Sequence, residues 1–320
     1  MQPFTVKHPV AAIAVGAAHC LAYTRDNRVW AWGRNAHGEL GNGGSPLVEP
    51  PVRVGPHLAD GAGIAPTSSA APSTTPLSTS SAGGEGCSGS SGAGEACELD
   101  ASLWGDGRVS GVAAGGVGFS ALWTDDGRAW TWGRGDQGQT GHGEAAVVPQ
   151  RLEGVPPVGK IAMGMAHTLV LTQSGALYGM GLNSQGQAGA LPGGGQKGSK
   201  LIQPTLIACG GGGGLPVADM AAGGQHSLVL TRDGLCWSFG RNNEGQLGLT
   251  MTAGSSHIPK RVSFPVRNGS LEQGRRGMEI AAGDKHSAFL TEDRTVWWSG
   301  ALPALAAHRD VPAKVLGLVP

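Results

Sequence analysis

The sequence predicts an all-β protein, a β-propeller built from about five repeats and open or incomplete as a ring. Three observations predict it. One residue pattern returns five times, at a period of roughly 48 to 60 residues once a single insertion is set aside, which is at or just above the range of propeller blades. Within each copy two short strand-forming runs flank a tight turn, and runs such as Leu169-Val170-Leu171 and Leu228-Val229-Leu230 are apolar at consecutive positions, so both faces are buried. Composition agrees, because 57 Gly and only 14% charged residues in a chain of 320 describe short strands joined by tight turns.

The fourth copy, Ala221 to Leu249, carries the pattern most fully. Ser227 to Thr231 is an apolar run, Asp233-Gly234 a turn dipeptide and Leu235 to Phe239 a second run, which together predict a β-hairpin. Gly240 is expected to break the strand, and Asn242 to Gly245 supplies a second turn. The first copy runs from Val15 to Gly41 and the second from Ala114 to Gly141. The third, Met163 to Gly189, replaces the aromatic pair with Tyr178 and Met180; the fifth, Ala281 to Gly300, stops after its second run. Of nine Trp, Trp30, Trp32, Trp130, Trp132, Trp237 and Trp297 all sit in the second run of a copy, so Trp30, Trp132 and Trp237 are expected to be largely buried.

The order G-x-x-H-[ST]-L-x-L-T-x-D-G-x-x-[WF]-x-[WF]-G-R-N-x-x-G-Q-L-G resembles the repeat of the regulator of chromosome condensation family, whose members form β-propellers. It covers most of the chain outside the insertion. The resemblance implies seven blades as the usual number, whereas the roughly 265 residues outside the insertion hold five units of about 53. An open or strained five-unit arc is therefore expected, with a smaller closed ring or a piece of a longer chain as the alternatives.

Three regions follow from the register: residues 1–54 as a propeller strand with repeat 1, residues 55–108 as an insertion, and residues 109–320 as repeats 2 to 5 of the same domain. The insertion contains PTSSAAPSTTPLSTSSAGGEG, too poor in apolar residues to offset the entropy of ordering, and is expected to be disordered. At the start, Pro3-Phe4-Thr5-Val6 matches the P-x-x-V segment after the later copies, such as Pro259-Lys260-Arg261-Val262, and reads as the last strand of a unit whose beginning is absent. The stretch before Cys20 imitates a signal peptide, but Ile13-Ala14-Val15-Gly16 falls in the register of Met220-Ala221-Ala222-Gly223, which explains it as strand.

Charge and motifs bound the function. Lys plus Arg equals Asp plus Glu at 23 each, so no basic excess is present to neutralise phosphates, and nucleic-acid binding is not expected. No apolar run is long enough to span a membrane. The five Cys match no zinc or disulfide framework, which favours a reducing compartment, cytoplasmic or nuclear. Gly133 to Gly138 spells GxGxxG but occupies a turn column and opens no helix, and the same register absorbs Arg134-Gly135-Asp136. His19, His167, His226 and His286 share one column, yet Phe119 fills it in copy two, so the column reads as packing or bonding locally and no metal is expected.

No cofactor and no catalytic activity are therefore expected. The chain reads as a protein-interaction scaffold, with Arg34, Arg134 and Arg241 after the second runs as candidate partner-binding residues; bracing of its own turn is the competing role for each. The founding member of the family catalyses guanine-nucleotide exchange on a small GTPase, and the resemblance carries that as the alternative function.

Overall fold

The computed structural model describes residues 8–43, 49–53, 104–189, 200–209, 214–249, 254–265, 271–272, 275–302 and 307–315. Sheet one comprises β1 (Val10–Val15), β2 (His19–Thr24), β3 (Val29–Gly33) and β4 (Glu49–Arg53). Sheet two comprises β5 (Val109–Ala114), β6 (Phe119–Thr124), β7 (Ala129–Gly133) and β8 (Ala146–Arg151). Sheet three comprises β9 (Val158–Met163), β10 (His167–Thr172), β11 (Leu177–Leu182) and β12 (Lys200–Ile207), and sheet four β13 (Val217–Ala222), β14 (His226–Thr231), β15 (Cys236–Arg241) and β16 (Ser255–Arg261). A small ribbon of β17 (Phe264–Pro265) and β18 (Leu271–Glu272) precedes sheet five, made of β19 (Gly277–Ala282), β20 (His286–Thr291), β21 (Val296–Leu302) and β22 (Ala307–Lys314). Each four-stranded sheet is an antiparallel meander in chain order.

The turn between the second and third strands explains the repeated T-x-D-G. Its fourth residue takes a left-handed conformation, at Gly127 (φ 84°), Gly175 (96°) and Gly234 (81°), while Asn27 (69°) and Arg294 (59°) hold it without glycine's freedom. In sheet four the expected break at Gly240 is absent: β15 runs on to Arg241, and Gly240 (φ 105°) lies where the β15–β16 register shifts. A Cβ there would stand 2.6 Å from the Gln225 carbonyl oxygen, so glycine is needed for close approach and not to end the strand.

Apolar cores lie between sheets. The core of the first gap joins Leu21, Val29 and Ala31 of sheet one to Leu122, Trp130 and Trp132 of sheet two, and equivalent cores fill the next three gaps. All six residues of β6, β10 and β14 are buried, as their consecutive apolar residues require of a strand covered on both faces. The end sheets differ. Residues paired in register share a face, and one face of sheet one carries Ile13 and Val15, 60% and 72% exposed, beside half-buried Cys20, Trp30 and Trp32. On β20, His286, Ala288 and Leu290 are half-buried and alternate with buried Ser287, Phe289 and Thr291. Among the described residues no apolar core joins sheet five to sheet one, which is consistent with the expected open arc of five blades.

The aromatic expectation holds unevenly. Trp132 is fully buried and donates its Nε1–H to the Glu39 carbonyl at 2.9 Å, but Trp30 and Trp237 are only half-buried. Pro3 to Val6 and residues 55–103 of the expected insertion lie outside the described residues. Its last five residues are described: Trp104 is buried and packs edge-on against Trp130, with ring centroids 5.3 Å apart. Packing of repeat 2 thus begins at Trp104.

Candidate functional site

The loops between first and second strands, and between third and fourth, lie at the same end of every sheet, because the strands alternate in direction. At that end the residue after the third strand's glycine is held by a recurrent backbone bond. Arg34 N donates to Ala18 O, Arg134 N to Gly118 O and Arg241 N to Gln225 O, each at 2.8 Å. The three arginines expected from the sequence therefore occupy equivalent places on three blades.

Their side chains are not equivalent. Arg134 forks onto Asp136, Nε to Oδ1 at 2.6 Å and a terminal nitrogen to Oδ2 at 3.0 Å, and its guanidinium holds that carboxyl well below the usual carboxylate range. Arg241 donates to Gln225 Oε1 at 3.1 Å. Arg34 is exposed and makes no side-chain bond among the described residues. Bracing of its own turn thus describes Arg134 well and Arg34 not at all.

The turn behind each arginine is closed from within. Asn35, Asn183 and Asn242 each accept from a backbone N–H five residues on, at 2.9 to 3.0 Å. Glu39, Gln139, Gln187 and Gln246 each accept, through a side-chain oxygen, from the N–H two residues before. Their backbone carbonyls then face the next blade, where Ser120, Thr168, Ser227 and Ser287 donate hydroxyl protons to them at 2.6 to 2.7 Å.

The histidine column completes this arrangement. Nε2 lies 2.9 Å from Oγ of Ser120 for His19, 3.0 Å from Ser227 for His167 and 2.9 Å from Ser287 for His226, each hydroxyl belonging to the following blade. Since the hydroxyl proton is committed to the turn carbonyl, Nε2 carries the ring proton and donates, which leaves Nδ1 without a partner in all three rings. Burial pushes His167 down to about 4 and His226 to about 3; His19 is also lowered by burial, against the opposing charge of Glu39. Beneath each ring sits the column glycine: a Cβ on Gly164 or Gly223 would come within 2.2 Å of the ring's Cε1, and on Gly115 within 2.1 Å of the Phe119 ring. Among the described residues no three His, Cys, Asp or Glu side chains gather to hold a metal ion.

Sequence reasoning named the histidines and missed their acceptors, although the Ser or Thr one residue after four of the five column positions carried the signal. The comparisons bear on the whole of this repeat. The profile of the RCC1-like domain matches residues 1–304. This chain belongs to the RCC1-like domain family. Among its relatives, human E3 ubiquitin-protein ligase HERC2 is 30% identical over 315 residues, 95% of this chain, and the chain spans 6% of that ligase's length. Among solved structures, human WBSCR16 superposes with a TM-score of 0.69 at 21% identity, over 96% of this chain and 67% of that one. Prp20p from Saccharomyces cerevisiae, a protein with binding properties toward Gsp1p and histones, gives 0.60 at 18% identity, over 97% and 77%. At these identities the structural likeness concerns the fold, and it agrees with a propeller architecture for this RCC1-like chain.

Proposed function

We propose that this chain is a non-catalytic interaction scaffold of the regulator of chromosome condensation repeat type, binding a protein partner through the loops that follow the third strands. The observation that carries this reading is the placement of Arg34, Arg134 and Arg241 at equivalent positions on one end of the arc, exposed at Arg34 and half-buried at Arg134 and Arg241, each fixed by the same 2.8 Å backbone bond. Beneath them the polar residues that recur from copy to copy are consumed by hydrogen bonds within and between blades, so the loop side chains that differ between copies remain to meet a partner. The chain as a whole has a net formal charge of zero, without the basic excess that favours nucleic-acid binding. A cytoplasmic or nuclear site of action and the absence of a bound cofactor belong to the same reading.

The second reading is guanine-nucleotide exchange on a small GTPase. Family membership favours it, and the protein-binding properties of Prp20p support a protein partner under either reading. One experiment separates the two. Partners are recovered with the purified chain, and nucleotide release is followed from any small GTPase among them. Accelerated release at catalytic amounts of the chain overturns the scaffold reading. A partner lost on combined substitution of Arg34, Arg134 and Arg241 by Ala, with the thermal midpoint unchanged, supports it.

A further inference from the structure

At the other end of the arc, where second and third strands turn, two of the four gaps between blades are plugged by an aromatic residue of the linker that leads into the next sheet. In the first gap Trp104 lies edge-on to Trp130 at 5.3 Å. In the fourth gap Phe264 packs on Trp297 at 5.7 Å and on Phe289 at 5.6 Å. Phe264 stands two residues after Val262, which bonds to Cys236 O at the end of the outer strand; the corresponding residue two after Ile207 is Cys209, a much smaller side chain.

The third gap therefore lacks the aromatic plug. Trp237, the counterpart of Trp130 and Trp297, is half-buried, leaves its Nε1 without a partner and has no aromatic ring against it among the described residues. Beside the cluster on which Trp237 packs, a half-open cleft of about 360 Å³ is lined by Leu177, Leu206, Ile207, Ala208, Leu215 and Val217. That volume is at the small end of ligand pockets, which run from ~300 to 1,000 Å³, and suits one large side chain. Leu206 is 42% exposed at the rim. Arg232 flanks the mouth, with a terminal nitrogen 3.3 Å from where a Cβ on Gly175 would stand, and no carboxylate pairs with it among the described residues.

We propose that this cleft between sheets three and four is a docking site for a Trp or Phe side chain of a partner peptide, with an acidic residue beside it to meet Arg232. The partner's ring takes the place that Trp104 and Phe264 fill in the sister gaps. Because the cleft opens at the end opposite Arg34, Arg134 and Arg241, it stands independently of the interaction surface proposed above.

The test uses the full chain, labelled with nitrogen-15, and the peptide N-acetyl-Asp-Trp-amide at millimolar concentration, the range expected of a single anchor. Saturable shifts are expected at the Leu177, Ala208 and Val217 amides and at the Trp237 indole N–H. Ala208→Phe, which fills the cleft from within, is expected to abolish them while leaving the thermal midpoint unchanged or raised, and Arg232→Gln to weaken binding several-fold. If Ala208→Phe fails to fold, Leu206→Lys at the exposed rim serves as the blocking variant. Absence of shifts in the native chain overturns the proposal. So do shifts that survive in a folded blocking variant, or equal shifts with N-acetyl-Asp-Ala-amide.

Discussion

His226 Nε2 meets Ser287 Oγ at 2.9 Å across sixty-one residues of sequence, and Ser287 in turn donates to the Gln246 carbonyl at 2.6 Å. A side chain of blade four is thereby tied, through a hydroxyl of blade five, to the loop of blade four itself. This closed path recurs at His19, through Ser120 to the Glu39 carbonyl, and at His167, through Ser227 to the Gln187 carbonyl.

The column accepts an aromatic ring without the bond, as Phe119 demonstrates above Gly115. His226→Phe is expected to lose one hydrogen bond, about 1 kcal/mol, whereas His226→Ala also leaves a void and is expected to lose roughly 2 to 4 kcal/mol. Urea denaturation of both variants checks the order. Equal losses would mean that ring volume contributes nothing at this position.

Gly223→Ala puts a methyl within 2.2 Å of the His226 ring and 2.6 Å of the Gly283 carbonyl oxygen. Backbone and ring must both move, so a loss of about 1 to 3 kcal/mol is expected in thermal denaturation. If the variant melts with the native chain, the ring has room that the structure denies it.

Stability should fall with acid well before carboxylates titrate. His167 and His226 stay neutral in the fold, at about 4 and about 3, against an unfolded value of 6.5. Between those limits the unfolded chain binds the extra protons, so folding is fully supported above about 6.5 and loses on the order of 3 to 5 kcal/mol per ring as pH falls to the folded values. His226→Phe removes one of these contributions. Denaturation midpoints measured from pH 7 to pH 4 should therefore fall less steeply in that variant, and parallel curves would refute the assignment.

Trp132→Ala is expected to cost roughly 3 to 5 kcal/mol, since the ring is fully buried and bonded to the Glu39 carbonyl. Trp237→Ala should cost less, because that ring is half-buried beside an open cleft. Thermal midpoints in the reverse order would contradict the packing described for the two gaps.

Much of the blade was legible because each column obeys a local rule. Asp-Gly fixes the turn, consecutive Leu and Val residues report burial on both faces, and the recurring period sets the unit. What stayed hidden depends on contacts between repeats. The sequence pattern placed His226 and Ser287 in neighbouring columns but not in contact, and Gly115 or Gly223 had no visible reason until a ring lay over it. Gly240 misled because glycine serves strand ends and close approaches alike. Trp104 was hidden in a stretch read by composition, where one large apolar residue is averaged away. Arg34, Arg134 and Arg241 shared a column in sequence, yet only their different neighbours, Asp136 for one and Gln225 for another, separate a bracing arginine from a free one.

The four apolar cores each belong to two adjacent blades and to no others. Unfolding of such an array follows a nearest-neighbour law, in which losing an end blade costs one interface and losing an inner blade costs two. Protection against amide exchange should therefore rise inward from β2 and β20 toward β10 and fall off symmetrically. A molecule that covers Ile13 and Val15, or the face of His286, would convert an end blade into an inner one and slow exchange there before it changed any other property of the arc.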